Sequence, residues 1–90
     1  MSFELIFTKI AEEGILKHKK AGNKKLIIKL DQLLSELEEH PETGTGKPER
    51  LKNNLSGLWS RRINKEHRLI YSIDGKEVTV TVVSAYGHYS

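Results

Sequence analysis

The chain has 90 residues, 37% of them hydrophobic and 30% charged, with a formal net charge of +3 and a sequence pI near 9.2. That length provides for one modest core, so a single domain over residues 1–90 is expected. The absence of cysteine excludes disulfides and thiol chemistry, and no apolar run reaches the roughly 18 residues that a membrane-spanning helix needs.

Glu4 stands where a signal peptide would carry basic residues, so no signal peptide and a cytoplasmic location are expected. The charge is uneven. Residues 1–45 hold seven Lys and eight Asp/Glu, a balance of −1, whereas residues 46–90 hold eight Lys/Arg and four Asp/Glu, a balance of +4. The first half reads as scaffold and the second as the side that meets an anion.

In chain order, Phe3 to Phe7 is short, rich in β-formers and almost continuously apolar, which predicts a strand, and an inner one. Thr8 is a good N-cap for a helix from Lys9 to about Ala21, in which Ala11, Gly14, Ile15 and His18 recur at helical spacing before the stop signal Gly22-Asn23. A second helix follows. Leu26, Leu30, Leu33 and Leu37 form its stripe, widened by Ile27 and Leu34 into a face suited to a core. Its early lysines and late glutamates oppose the helix dipole, so packing has to dominate its stability.

Pro41 to Pro48 is a Gly/Pro-rich connection without the Gly-x-x-x-x-Gly-Lys-Ser/Thr pattern of a P-loop. Three strands are predicted next, over Leu58–Ile63, Arg68–Ile73 and Glu77 to about Ala85. Asp74-Gly75 predicts a two-residue hairpin turn, pairing Ile73 with Lys76, Tyr71 with Val78 and Leu69 with Val80. In that register Leu69 and Tyr71 face the core, and Arg68 stands on the opposite, mostly polar face. The turn over Ile63 to His67 leaves open whether Arg61 or Arg62 shares that face with Arg68.

The segment from Gly46 to Arg68 concentrates the chemistry. It holds seven Lys/Arg and two Glu, and all four arginines of the chain fall within it. Arginine presents a planar fork of donors that matches phosphate, so a phosphate-handling surface is the first expectation. Lys47, Lys52, Arg61 and Arg62 are its candidate RNA-binding cations. Trp59 reads as core or a packing lid, and His18, His40 and His67 as structural. No two histidines have metal-ligand spacing, so no metal or cofactor is expected.

Four motifs in order carry a resemblance: Gly-Lys-Pro-Glu-x-Leu-Lys at 46–52, Asn-Leu-Ser-Gly-x-Trp-Ser-Arg-Arg-Ile at 54–63, Glu-His-Arg-Leu-Ile-Tyr at 66–71, and His88-Tyr89. Together they resemble the YoeB/Txe-type toxins of the RelE superfamily, the ribosome-dependent mRNA endonucleases of bacterial toxin–antitoxin systems. The resemblance implies a β-α-α-β-β-β fold of the α+β class, a small antiparallel sheet with two helices on one face. It also implies metal-independent cleavage of mRNA in the ribosomal A site by 2′-hydroxyl attack.

Residue by residue, Glu49 matches the general base, Arg68 the cation on the transition state, His88 the general acid and Tyr89 a substrate-positioning tyrosine. Lys52 and Arg62 match auxiliary cations. The implied partners are mRNA, the ribosome and a YefM/Axe-like antitoxin, with no membrane partner. Monomer and homodimer both stay open. Ala85, Tyr86 and Gly87 depart from the basic residue common before the terminal His-Tyr, and codon preference stays open. The alternative is a non-catalytic RNA- or ribosome-binding module of the same fold.

Overall fold

The computed structural model describes residues 3–74 and the backbone of residues 79–84. Within them the order is β1 (Glu4–Phe7), α1 (Lys9–Ala21), α2 (Lys24–Glu39), β2 (Glu49–Arg50), a 3-10 turn (Asn53–Leu55), β3 (Trp59–Arg62), β4 (Arg68–Asp74) and β5 (Thr79–Ser84). The class is α+β as expected, with two helices on one face of a small sheet.

Local chemistry sets the helix ends. The Thr8 hydroxyl accepts from the Ala11 N–H at 3.1 Å and opens α1. Gly22 closes it in the left-handed region at φ 71°, donating its N–H to the carbonyls of His18 and Lys19. Asn23 then caps α2 by accepting from the Leu26 N–H at 3.1 Å. No acidic residue occupies the first turn of α2 and no basic one its last, so its dipole stays uncompensated. Its stability comes from the stripe: Leu26, Leu30, Leu33 and Leu37 are all buried, and burying one such side chain contributes about 1.5–3 kcal/mol. They form one core with Ala11 of α1 and with Ile63, Leu69 and Tyr71 from the sheet side. No helix among the described residues is long and apolar enough to cross a membrane.

The sheet has five strands in the order β1-β5-β4-β3-β2. Three features differ from expectation. β1 is an edge strand, paired parallel to β5, and the sheet is therefore mixed. Phe3, Leu5 and Phe7 pack against the core while Ile6 remains 45% exposed; this apolar outward residue is what made the segment read as an inner strand. β2 was not expected. It is two residues long, and its pairing of Glu49 with Ser60 and Arg50 with Trp59 defines it.

The third difference is the β4–β5 register, in which Asp74 lies opposite Thr79, Ile73 opposite Val80 and Tyr71 opposite Val82. Four residues, 75–78, therefore separate the paired positions, and the two-residue turn at Asp74-Gly75 is corrected. The displacement along β5 is even, so either register gives the same alternation of faces, and alternation alone could not choose. β5 also pairs with β1, Leu5 opposite Val80 and Phe7 opposite Val82, a constraint that no local turn signal contains.

β3 and β4 pair antiparallel, Trp59 with Tyr71, Ser60 with Ile70, Arg61 with Leu69 and Arg62 with Arg68. Side chains alternate along each strand, so Trp59, Arg61, Leu69 and Tyr71 point to the helices. Ser60, Arg62, Arg68 and Ile70 point to the other face. Ile70 is buried there, which makes this face less polar than the alternation suggested.

Candidate nucleic-acid interface

The cation-rich segment is split by this pairing. Arg62 lies opposite Arg68, so Arg62 is the arginine that shares its face. Arg61 points the other way and is fully buried. All five of its N–H donors are occupied, by Tyr71 Oη, Glu36 Oε1 and the carbonyls of His40, Thr43 and Thr45. Arg61 is thus corrected from RNA-binding residue to internal anchor: no donor faces solvent. The strand alternation held the clue, and the length of the β3–β4 turn withheld it.

On the opposite face Glu49 and Arg68 meet. Arg68 Nη1 lies 3.3 Å from Glu49 Oε1 and 3.3 Å from Ser60 Oγ. The Glu49 side chain is 59% exposed and that of Arg68 23%. Ser60 is buried beneath them, directly opposite Glu49 in the ladder. A carboxylate open to solvent, with its cation held from behind by a hydroxyl, can accept a proton while the cation faces an anion. Beside the pair runs an open groove of about 550 Å³, lined by Lys29, Gly46, Lys47, Arg62, Ile63, Asn64, Lys65 and Arg68. Among the described residues five cations and no carboxylate line it, a field suited to a polyphosphate backbone.

Gly46 admits the close approach at its floor. Its φ is 85°, and a Cβ there would stand 2.8 Å from the Arg62 carbonyl oxygen. The Arg62 N–H donates to the Gly46 carbonyl at 2.7 Å, tying the connection to β3 just before Lys47. Asn64 shapes the groove's far wall by accepting from the N–H groups of Glu66 and His67, each at 2.8 Å. Lys29 and Lys65 were missed as groove residues. Lys29 is a half-buried lysine on α2, and only the packing of α2 against the connection brings it here.

The remaining site residues lie elsewhere. Lys52 is exposed and lines a neighbouring concavity of about 790 Å³ with Arg50 and Trp59. The Arg50 guanidinium sits 5.6 Å from the Trp59 ring centre, and that ring stacks on Tyr71 at 6.5 Å. Trp59 is half-buried and joins the core, as its motif suggested. His18 is buried, with its ring 4.6 Å from that of His67 in an edge-to-face pair. His88 and Tyr89 lie outside the described residues, as do Ala85, Tyr86 and Gly87.

Two helices against one face of a small sheet is also the fold of solved YoeB-type toxins. The YoeB/ParE toxin from Agrobacterium tumefaciens superposes with a TM-score of 0.86 at 30% identity, covering 97% of this chain and all of that one. The YoeB of Staphylococcus aureus, solved as a dimer, gives 0.81 at 37% identity over 99% of this chain and all of that one. Solved in a complex with YefM, it gives 0.79 at 38% identity over the same shares.

In sequence, residues 7–89 match the family described as the YoeB-like toxin of bacterial type II toxin–antitoxin systems. The chain is also 46% identical over 68 residues to the toxin YoeB of Synechocystis sp., covering 76% of this chain and 77% of that one. The chain belongs to the YoeB-like toxin family of type II toxin–antitoxin systems.

Proposed function

We propose that this toxin is an endoribonuclease that cleaves mRNA in the ribosomal A site and so inhibits translation. One observation carries this: an exposed carboxylate, Glu49, stands 3.3 Å from Arg68 beside a groove lined by five cations. Glu49 takes the proton from the 2′-hydroxyl, whose oxygen attacks the adjacent phosphorus. Arg68 meets the charge that develops on the equatorial oxygens, where preorganised donors contribute most. The bond to the 5′-oxygen breaks, and His88 supplies the proton that this leaving oxygen takes up. Tyr89 positions the substrate. Lys47 and Arg62 hold flanking phosphates from the groove, and Lys52 does so from the adjoining concavity.

No metal or cofactor enters this scheme. Its products are a 2′,3′-cyclic phosphate and a 5′-hydroxyl. A YefM-like antitoxin is the inhibitor we expect, supported by the complex that the S. aureus relative forms. Ribosomes programmed with a defined mRNA, incubated with the protein, test the scheme through the chemistry of the new ends. A 5′-hydroxyl beside a 2′,3′-cyclic phosphate is expected. A 5′-phosphate beside a 3′-hydroxyl would overturn it, and intact mRNA bound to toxin-occupied ribosomes would favour a non-catalytic binding module.

A further inference from the structure

The connection that carries Glu49 to the sheet, residues 40–48, contains turns and bends and neither helix nor strand. It is nevertheless wound around one buried group. A guanidinium has five N–H donors, and those of Arg61 all find acceptors. Nε donates to Tyr71 Oη at 3.2 Å, Nη1 to Glu36 Oε1 at 2.9 Å and to the Thr45 carbonyl at 3.3 Å, and Nη2 to the carbonyls of Thr43, at 2.6 Å, and His40. Three of the five acceptors are therefore backbone atoms of the connection itself.

Two neighbours of Arg61 close the arrangement. Glu36 Oε1 accepts from the Thr45 N–H at 2.7 Å, and the Tyr71 hydroxyl donates to the Pro41 carbonyl at 2.7 Å. The winding is tight: Gly44 has φ 121°, and a Cβ there would stand 2.3 Å from Glu36 Oε1 and 3.1 Å from Arg61 Nη1. The next residue of β3, Arg62, then holds Gly46, three residues before Glu49. Consecutive residues of one strand thus grip the connection from inside and line the groove outside.

We propose that Arg61, together with Glu36, is the positioning residue that holds Glu49 against Arg68, and that the five-donor fork of arginine is required for it. Lysine would keep the charge but has three donors on one atom, too few and too close together to reach acceptors spread from residue 36 to residue 71. This rests on the endoribonuclease reading, in which Glu49 is the base. A displacement of about 1 Å at a reacting group can cost about 10²-fold in rate.

The test uses the full chain and its Arg61→Lys, Glu49→Gln and Arg61→Lys/Glu49→Gln variants, in single-turnover cleavage of ribosome-bound mRNA. Amide exchange is measured in parallel on the free proteins. Arg61→Lys should fold and lower the saturating rate about 10²-fold, with half-saturation moving by less than about threefold. The Thr45 and Arg62 amides should exchange at least about tenfold faster, while the Leu33 amide in α2 stays protected. Because Arg61 acts through Glu49, the double variant should be no slower than Glu49→Gln alone.

An unchanged rate in Arg61→Lys would overturn the proposal, and so would unchanged exchange at Thr45 and Arg62. Losses that multiply in the double variant would do the same. If Arg61→Lys does not fold, Gly44→Ala, which intrudes on the Glu36 carboxylate, takes its place with the same expectations. If the wild-type protein cleaves nothing, the endoribonuclease reading fails separately, and the exchange measurement still decides whether Arg61 fixes the connection.

Discussion

Arg68→Ala should separate activity from stability. Among the described residues Arg68 makes one exposed ion pair and one hydrogen bond to a buried hydroxyl, each at 3.3 Å. The pair with the 59% exposed Glu49 contributes about 0–1 kcal/mol, and the bond to Ser60 about 1 kcal/mol. Losing both should cost about 1–2 kcal/mol, which a folded domain tolerates. In the proposed reaction the same side chain would be a preorganised cation facing the transition state, and removing such a donor costs about 10²–10³ in rate. Arg61→Ala should do the reverse to stability. It abandons a buried partner network, and breaking a buried ion pair costs about 3–5 kcal/mol. Urea unfolding followed by Trp59 fluorescence, which senses the packing against Tyr71, gives the stabilities, and single-turnover cleavage gives the rates. The reasoning is refuted if Arg68→Ala unfolds as easily as Arg61→Ala, or if its rate falls by less than about tenfold.

Three further outcomes follow from the same contacts. Partial burial pushes the Glu36 carboxyl up, but the hydrogen bonds from Thr45 and Gln32 and the charge of Arg61 outweigh it and hold the group below the usual carboxylate range. A depressed carboxyl contributes stability that is present above its unfolded value and lost as pH falls through the folded one. The urea midpoint of the wild type should therefore exceed that of Glu36→Gln at pH 7, with the gap closing below about pH 4. Burial likewise pushes the Tyr71 phenol above its ordinary value, with Arg61 offsetting only part, so the hydroxyl stays a donor to Pro41. Tyr71→Phe keeps the ring but leaves that carbonyl and Arg61 Nε unpaired, and should lower stability by about 2–4 kcal/mol in urea unfolding. Reversing two of the groove's five charges in a Lys29→Glu/Lys65→Glu variant should raise half-saturation about tenfold or more and flatten its salt dependence, with the saturating rate little changed.

Much of the scaffold was legible because its signals are local. Thr8, Gly22 and Asn23 mark the helix ends by their own side chains or backbone freedom, and the α2 leucines repeat at a period that only a helix aligns. The placement of Arg68 opposite the core face followed from strand alternation, which survives a misjudged hairpin length. Features set by distant pairing were hidden. β2 exists because Glu49 and Arg50 meet β3, and the edge position of β1 depends on β5 lying between it and β4. Choosing between Arg61 and Arg62 required the length of the 63–67 turn, where the Ile63 and Asn64 N–H groups both close on the His67 carbonyl. Lys29 reaches the groove through helix packing, which no motif encodes.

The central claim is that the 2′-hydroxyl of the mRNA is the nucleophile, activated by Glu49. It is tested most directly with ribosomes programmed with an mRNA carrying a single 2′-deoxynucleotide on the 5′ side of the cut. Cleavage at that bond should vanish while the all-ribose message is cut at the same codon. Cleavage that persists at the substituted bond would contradict the account.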